Sequence, residues 1–407
     1  MFRANRTILA GLFLSLLLNS STGIAAPACT NLFLKPGSPL WRLQIRLVAD
    51  QLTHIWKSQR EKMMTYETFK AEEKKLNATF QRLLEEAGLK VRFNVYNPDW
   101  SGFEILPEGT HPLVRVARSL SRKGITLAVS PSVWAKDALG SFDSSRKVIN
   151  VDLESILTGR VGFTMSHELR HAHGELRSYM EDGAYERIFR TELNAENTPG
   201  RRLPGADESY KDYFALDEIL AHRQSATYLV RELKKNSSDE VAISYLKVHG
   251  ERLKNFVETG LATFEVIKRK VESSAYHVSW APDRPMVALY VKLNKSGILT
   301  RWFQSDAKDD DLVGLKAKFV IPMAELREID DAKGVRSLLL SKIDATIAEL
   351  EILRSPVESL SEAIESIKSP KKVTEKELRD VEEALHSLAE TISQRRRVMR
   401  DGHRTLH

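Results

Sequence analysis

Apolar residues recur along this chain at two different spacings, and the spacing changes several times. Leu40, Leu43, Leu47, Val48, Leu52 and Ile55 fall three or four apart after Pro36-Gly37-Ser38-Pro39, which predicts an amphipathic helix over residues 38–60. Phe69, Leu76, Phe80, Leu83 and Leu84 stand among Glu and Lys and predict a second helix over 66–87, ended by Gly88. Val91, Phe93 and Val95 then alternate with polar residues, the period of a strand. Asn97-Pro98-Asp99 and Pro107-Glu108-Gly109 are turn signals, and residues 113–122 read as a short helix closed by Gly124. Ile125–Val129 and Val148–Val151 are two further strands.

Farther on, Ile156-Leu157 and Val161-Gly162-Phe163 lead into a helix beneath that sheet. Glu192–Lys211, rich in Asn, Pro, Gly and charge, reads as a long loop, with Arg201-Arg202 on it. Phe214, Ile219, Ala226 and Leu229 mark the buried face of another helix over 210–227. Residues 242–270 read as one or two core helices. Val287, Leu289 and Val291 alternate and predict a hairpin with Leu299–Phe303 across Asn294-Lys295-Ser296-Gly297. Lys316–Ile321 is a third strand, and Asp306–Asp311 reads as a solvated acidic turn without calcium-loop spacing. Residues 325–350, 356–368 and 374–399 are helical, the last two separated by Ser369-Pro370, and Arg395–Arg400 reads as a solvated basic terminus. No internal repeat is visible.

Composition narrows the picture modestly. At 407 residues, with 42% hydrophobic and 29% charged residues, the chain has the make-up of a globular protein. A net charge of +6 is too mild for a dedicated nucleic-acid binder. The beginning changes the picture more. Arg3 and Arg6 precede an apolar run from Ile8 to Leu18, and Ala26-Pro27-Ala28 stands before Cys29. That is the pattern of an export signal, cut after residue 28, and the run is too short to span a bilayer comfortably. No transmembrane segment is expected after it. A lipid anchor at Cys29 is disfavoured, because no leucine stands at the expected place upstream. The expected location is the bacterial periplasm or the outside, with a net charge of +4 after loss of the two arginines. One cysteine excludes intrachain disulfides and a cysteine-rich metal site, so any metal must be held by nitrogen and oxygen.

The sharpest chemical signal is His167-Glu168-Leu169-Arg170-His171. On a helix the two histidines sit one turn apart on one face, where both can reach one tetrahedral Zn2+. Glu168 follows the first and is placed to take a proton from water attacking a carbonyl. Within the motif's own helix no third ligand is convincing. Arg177 stands where the metzincin peptidases carry a third histidine, His173 points away, and Glu175 lies two turns from His167.

A second helix supplies a better one. Glu218 lies 47 residues after His171 on an apolar helical face, where an unpaired carboxylate is expensive to bury. The arrangement resembles the gluzincin branch of the HExxH zinc metallopeptidases, or zincins, in which a glutamate on a second helix completes the site. The resemblance covers residues 160–227. In that family an aspartate four residues after the glutamate supports a zinc-bound histidine; here the position is His222. Asp217 and His222 stay open as alternative third ligands. Tyr210, Tyr213, His173 and His222 are the nearest donors for an oxyanion.

The expected class is therefore α+β: a small α/β region leading into a zincin-like helical metal site, then a short antiparallel sheet and C-terminal helices. The expected division is signal peptide 1–28, zincin-like catalytic domain 29–235, a helical segment with a small sheet over 236–348, and a helical extension over 349–407. The resemblance implies an exported zinc-dependent hydrolase with Zn2+ on His167, His171 and Glu218, Glu168 as general base toward zinc-activated water, and a peptide or protein substrate. The competing expectation is a non-enzymatic exported interaction protein with a structural or degenerate metal site.

Overall fold

The structure is a computed structural model. It describes residues 36–97, 100–131, 140–143, 146–178, 184–196, 213–273, 276–281, 286–293, 313–321, 325 and 332–404. The export signal, Cys29, Arg201-Arg202, Tyr210, the acidic turn and the expected strand Leu299–Phe303 lie outside them.

The chain divides into two compact units, the first ending at Val91 and including residues 109–111. In it, helix α1 (Pro39–Arg60) and helix α2 (Tyr66–Glu86) form a hairpin. Ser38 Oγ accepts a hydrogen bond from the Trp41 amide, and Pro39 occupies the first turn, where its missing N–H is harmless. Thr65 caps α2 in the same way. Ile45 and Leu52 of α1 and Phe80, Leu83 and Leu84 of α2 are buried, and Trp56 Nε1 donates to Glu73 Oε1 at 3.0 Å. Gly88 adopts φ +83°, and a Cβ there would also run into Thr110.

The second unit opens with a five-stranded sheet of order β1-β2-β3-β5-β4. Its strands are β1 (Leu89–Asn97, which begins in the first unit), β2 (Trp100–Gly109), β3 (Thr126–Ser130), β4 (Gly140–Asp143) and β5 (Val148–Asp152). Helix α3 (Pro112–Ser121) connects β2 to β3. β2 runs antiparallel to β3, β3 parallel to β5, and β4 antiparallel to β5, at the end of the sheet. The strands predicted around Val91, Ile125 and Val148 are all present. β2 replaces the turn expected at Pro107-Glu108-Gly109. The ladder between β2 and β3 pairs Phe103 and Glu104, so Pro107 lies beyond it and forfeits no bond there. Gly-Ser-Phe-Asp of β4 has no apolar alternation, and only its pairing with β5 makes it a strand.

After β5 come the short helix α4 (Leu153–Leu157) and helix α5 (Val161–Ser178), which lies against β4 and β5. Then follow α6 (Ala184–Phe189), β6 (Glu192–Glu196), β7 (Tyr213–Ala215), α7 (Asp217–Lys235) and α8 (Glu240–Glu272). The expected loop thus starts with a strand. Glu-Leu-Asn-Ala-Glu alternates only weakly, with Leu193 and Ala195 as its apolar members, and its partner, β10 (Val313–Val320), is more than a hundred residues downstream. Phe214 belongs to β7, and α7 starts at Asp217, with two carboxylates in a first turn that favours negative charge.

The second sheet has order β7-β6-β10-β9-β8, with β8 (Tyr276–Ala281) and β9 (Met286–Leu293), and every pairing is antiparallel. Among the described residues β9 therefore pairs with β8 and β10. Helices α9 (Ala332–Glu365) and α10 (Glu375–Arg404) complete the unit. α9 runs through Pro356, where the sequence predicts separate helices. Proline removes one helical bond, but Leu353, Val357 and Leu360 around it are fully buried, and that burial holds the helix together. One apolar cluster joins α6, α7, α8, β10, α9 and α10. Gly250 and Gly260 let α9 approach α8 closely: a Cβ would stand 3.0 Å from Ile364 and 2.9 Å from Leu350. No described helix is long and apolar enough to cross a membrane.

Candidate metal centre

Helices α5 and α7 lie side by side and carry the site between them. α5 sets His167 and His171 one turn apart, and α7 presents Glu218 from its first turn. The two histidine Nε2 atoms are 3.1 Å apart. Glu218 Oε2 is 3.0 Å from His167 Nε2, and Oε1 is 3.3 Å from His171 Nε2. Ligands held at 2.0–2.2 Å on a tetrahedron stand ~3.4 Å from one another, so these separations suit one ion. His167, His171 and Glu218 form the three-ligand group found among the described residues, matching an HExxH-type gluzincin metal centre. Two imidazoles and one carboxylate are also a donor set that suits a divalent transition metal such as zinc.

The unpaired polar atoms agree with that fit. Glu218 Oε2 is buried and makes no hydrogen bond of proper geometry despite its nearness to His167. Two imidazole nitrogens facing each other satisfy one another only if one of them carries a proton. A cation among the three side chains would satisfy all of them at once.

Asp217, an open alternative in the sequence, has a different place. Its Oδ2 lies 2.8 Å from His171 Nδ1, so it accepts that ring's N–H and leaves Nε2 facing the site. Its other oxygen stands 3.7 Å from Arg170 Nη2. Gly174 makes room for this contact, since a Cβ there would lie 3.2 Å from both Arg170 Nη1 and Asp217 Oδ1. His167 Nδ1 meets Ser225 Oγ at 3.4 Å, and Gln224 Nε2 donates to the Ser166 carbonyl at 2.8 Å.

His222 is not in the ligand group either. Its Nδ1 meets His249 Nδ1 of α8 at 2.7 Å, and its Nε2 lies 3.6 Å from Glu218 Oε2. One ring of this pair donates and the other accepts. Burial, together with the neighbouring His249 and His167 rings, holds His222 well below the ordinary histidine value. Burial and the His167 ring lower His249 to about 3. Both rings therefore stay neutral.

The charges of the centre follow its burial and its partners. Burial works against ionisation of Glu218, but His171 and His167 beside it outweigh burial and hold it well below the usual carboxylate range. Burial likewise opposes the His171 cation, while Glu218 and Asp217 raise it well above the ordinary value. Glu168 is buried, and burial pushes its carboxyl up, with His167 and His171 opposing. Glu168 lies against the end strand of the first sheet: a Cβ on Gly140 would stand 3.2 Å from Glu168 Cγ.

His173 is exposed, off the metal-bearing face as predicted. Arg395 and Arg396, expected in a solvated terminus, instead reach buried carboxylates. Arg395 Nε donates to Glu349 Oε1 at 2.9 Å, and Arg396 Nη2 pairs with Glu186 Oε1 at 2.7 Å. Sequence reasoning also missed His249. Its signal is a histidine set within the buried stripe of Ile243, Leu246 and Leu253.

No family model, no curated protein and no solved structure matches the chain.

Proposed function

We propose that the chain is an exported zinc-dependent hydrolase of amide bonds, a metallopeptidase, in which His167, His171 and Glu218 hold the ion and Glu168 is the general base. The carrying observation is the convergence of these three side chains from two helices, with a buried Glu168 directly after His167 and Asp217 hydrogen-bonded to His171. Export rests on Arg3, Arg6 and the apolar run from Ile8 to Leu18.

Zinc, when bound, supplies a Lewis acid that polarises a carbonyl and acidifies water. The side chains do the rest. Asp217 fixes the His171 ring with Nε2 inward, and Ser225 contacts the outer nitrogen of His167. Glu168, raised by burial, is a stronger base than a solvated glutamate, so it can take a proton from water and return it to the leaving amine. β4 ends the first sheet next to Glu168, and an extended peptide could add to its outer edge through main-chain hydrogen bonds.

The test is Glu168→Gln in the full chain, with zinc content and peptide hydrolysis measured together. Bound zinc with hydrolysis lost is expected. Retained turnover removes Glu168 from the proposed role. Zinc bound by the unaltered protein with no cleavage of a broad peptide library would instead favour a structural metal site.

A further inference from the structure

A line of charged side chains runs from the last helix to the back of the metal centre. Arg396 of α10 places Nη2 2.7 Å from Glu186 Oε1, and its guanidinium lies 5.4 Å from the Tyr185 ring centre. Glu186 is 1% exposed, and the same oxygen is 3.9 Å from Arg170 Nη2. That Arg170 nitrogen is also 3.7 Å from Asp217 Oδ1, and Asp217 Oδ2 meets His171 Nδ1 at 2.8 Å. Arg170 makes no direct hydrogen bond through Nη1 or Nη2. It therefore stands almost midway between two buried carboxylates, held by attraction to both.

We propose that Arg396 is a positioning residue of the metal centre: by neutralising Glu186 it leaves Arg170 free to balance Asp217, which in turn orients His171. This rests on the metal reading above. The physical reason is competition for one cation. Glu186 and Asp217 both need a positive partner in a buried setting, where an unpaired carboxylate is strongly unfavourable. With Arg396 present, Glu186 has a close ion-pair partner of its own, although neither of its oxygens makes a hydrogen bond of proper geometry. Without it, Glu186 draws Arg170 toward itself. Asp217 then loses Arg170 and keeps Arg190 and His171 as positive neighbours, and its grip on the His171 ring loosens. The end of the chain thereby acts on a ligand more than 220 positions earlier in sequence.

The test uses the full-length chain and zinc itself. Zinc affinity is measured by competition with a chromogenic chelator, and geometry by the visible spectrum of the cobalt-substituted protein. Arg396→Ala should weaken zinc binding about 10- to 100-fold, the usual effect of disturbing a ligand's supporting partner, and alter the cobalt bands. Arg396→Lys should recover part of the affinity. The double variant Arg396→Ala/Glu186→Gln should recover most of it, because a neutral amide no longer draws Arg170 away. Arg397→Ala, which removes an exposed charge next door, should match the unaltered protein.

Unchanged affinity and spectrum in a folded Arg396→Ala protein would overturn the proposal. So would a double variant as weak as the single one, which would place the effect in packing. If the alanine variant does not fold, Arg396→Gln keeps the side-chain stem near Tyr185 and carries the same comparison with the same two outcomes. An unaltered protein that takes up no zinc would overturn the metal reading itself. Zinc uptake combined with an indifferent Arg396→Ala would overturn this inference alone.

Discussion

Asp217 Oδ2 and His171 Nδ1 are 2.8 Å apart, a hydrogen bond between the residue directly before one metal-site glutamate and the outer nitrogen of a metal-site histidine. Residues 217 and 218 thus act in opposite directions: the first holds a ligand from behind, and the second closes the site from the front. Replacing Asp217 by asparagine keeps the shape and removes the charge. Zinc affinity should fall about 10- to 100-fold while the fold is retained, checked by chelator competition beside circular dichroism. Unchanged affinity would show that the bond does not set the orientation of His171.

Zinc should also stabilise the chain, because its three ligands lie on two different helices. At a free concentration a thousand times the dissociation constant, binding to the native state alone adds about 4 kcal/mol. Thermal unfolding with zinc and with excess chelator should show a clear upward shift of the midpoint in the unaltered protein. Glu218→Ala should abolish the shift and leave the two curves superimposed.

Gly140 holds β4 close to the metal-bearing helix. A Cβ there would collide with Thr164 Cγ2, stand 2.9 Å from the Asn150 carbonyl and press on Glu168. The Asn150 contact is backbone of the adjacent strand and cannot yield easily. Gly140→Ala should therefore destabilise the protein by about 1–3 kcal/mol, read from urea unfolding. It should also lower kcat, since Glu168 is one of the side chains displaced.

The start of α10 offers a test that involves no metal. Thr374 Oγ1 accepts from the Glu377 amide at 3.2 Å, and Glu377 Oε2 accepts from the Thr374 amide at 2.8 Å, a reciprocal cap. The hydrogen bonds from Thr374 hold Glu377 below the ordinary value of 4.5. A carboxylate lowered in the native state contributes its full stability above the unfolded value and loses it as pH falls through the native one. Thr374→Ala should cost about 1 kcal/mol at neutral pH. The stability gap between the unaltered protein and Glu377→Gln should be widest above the unfolded value and shrink on acidification, followed by urea midpoints from about pH 6 down to about pH 2.5.

Several parts of this molecule were legible because their signals are local. The helices around Leu52 and Phe80 show their burial as three- and four-residue spacing, and the strands at Val91 and Val148 show theirs as alternation or as apolar runs. His167 and His171 are paired by the pitch of one helix, and Glu218 is exceptional as a carboxylate on an apolar face. β4, β6 and β2 were not legible. β4 becomes a strand only by pairing with the neighbouring β5, and β6 only through a partner distant in sequence, as Glu192 does opposite Lys318. The continuity of α9 through Pro356 was equally hidden, because the burial that outweighs the proline comes from other helices.

The sequence by itself determined the chemistry available: nitrogen and oxygen ligands, a HExxH pair on one helix, and a glutamate that needed a partner. Tertiary structure alone decided the roles of the remaining polar groups. It set Asp217 behind His171, paired His222 with His249, and brought Arg396 onto a carboxylate 210 positions earlier. Ligand type and helical spacing are properties of neighbouring residues, whereas the balance of buried charge depends on which distant helices are packed together.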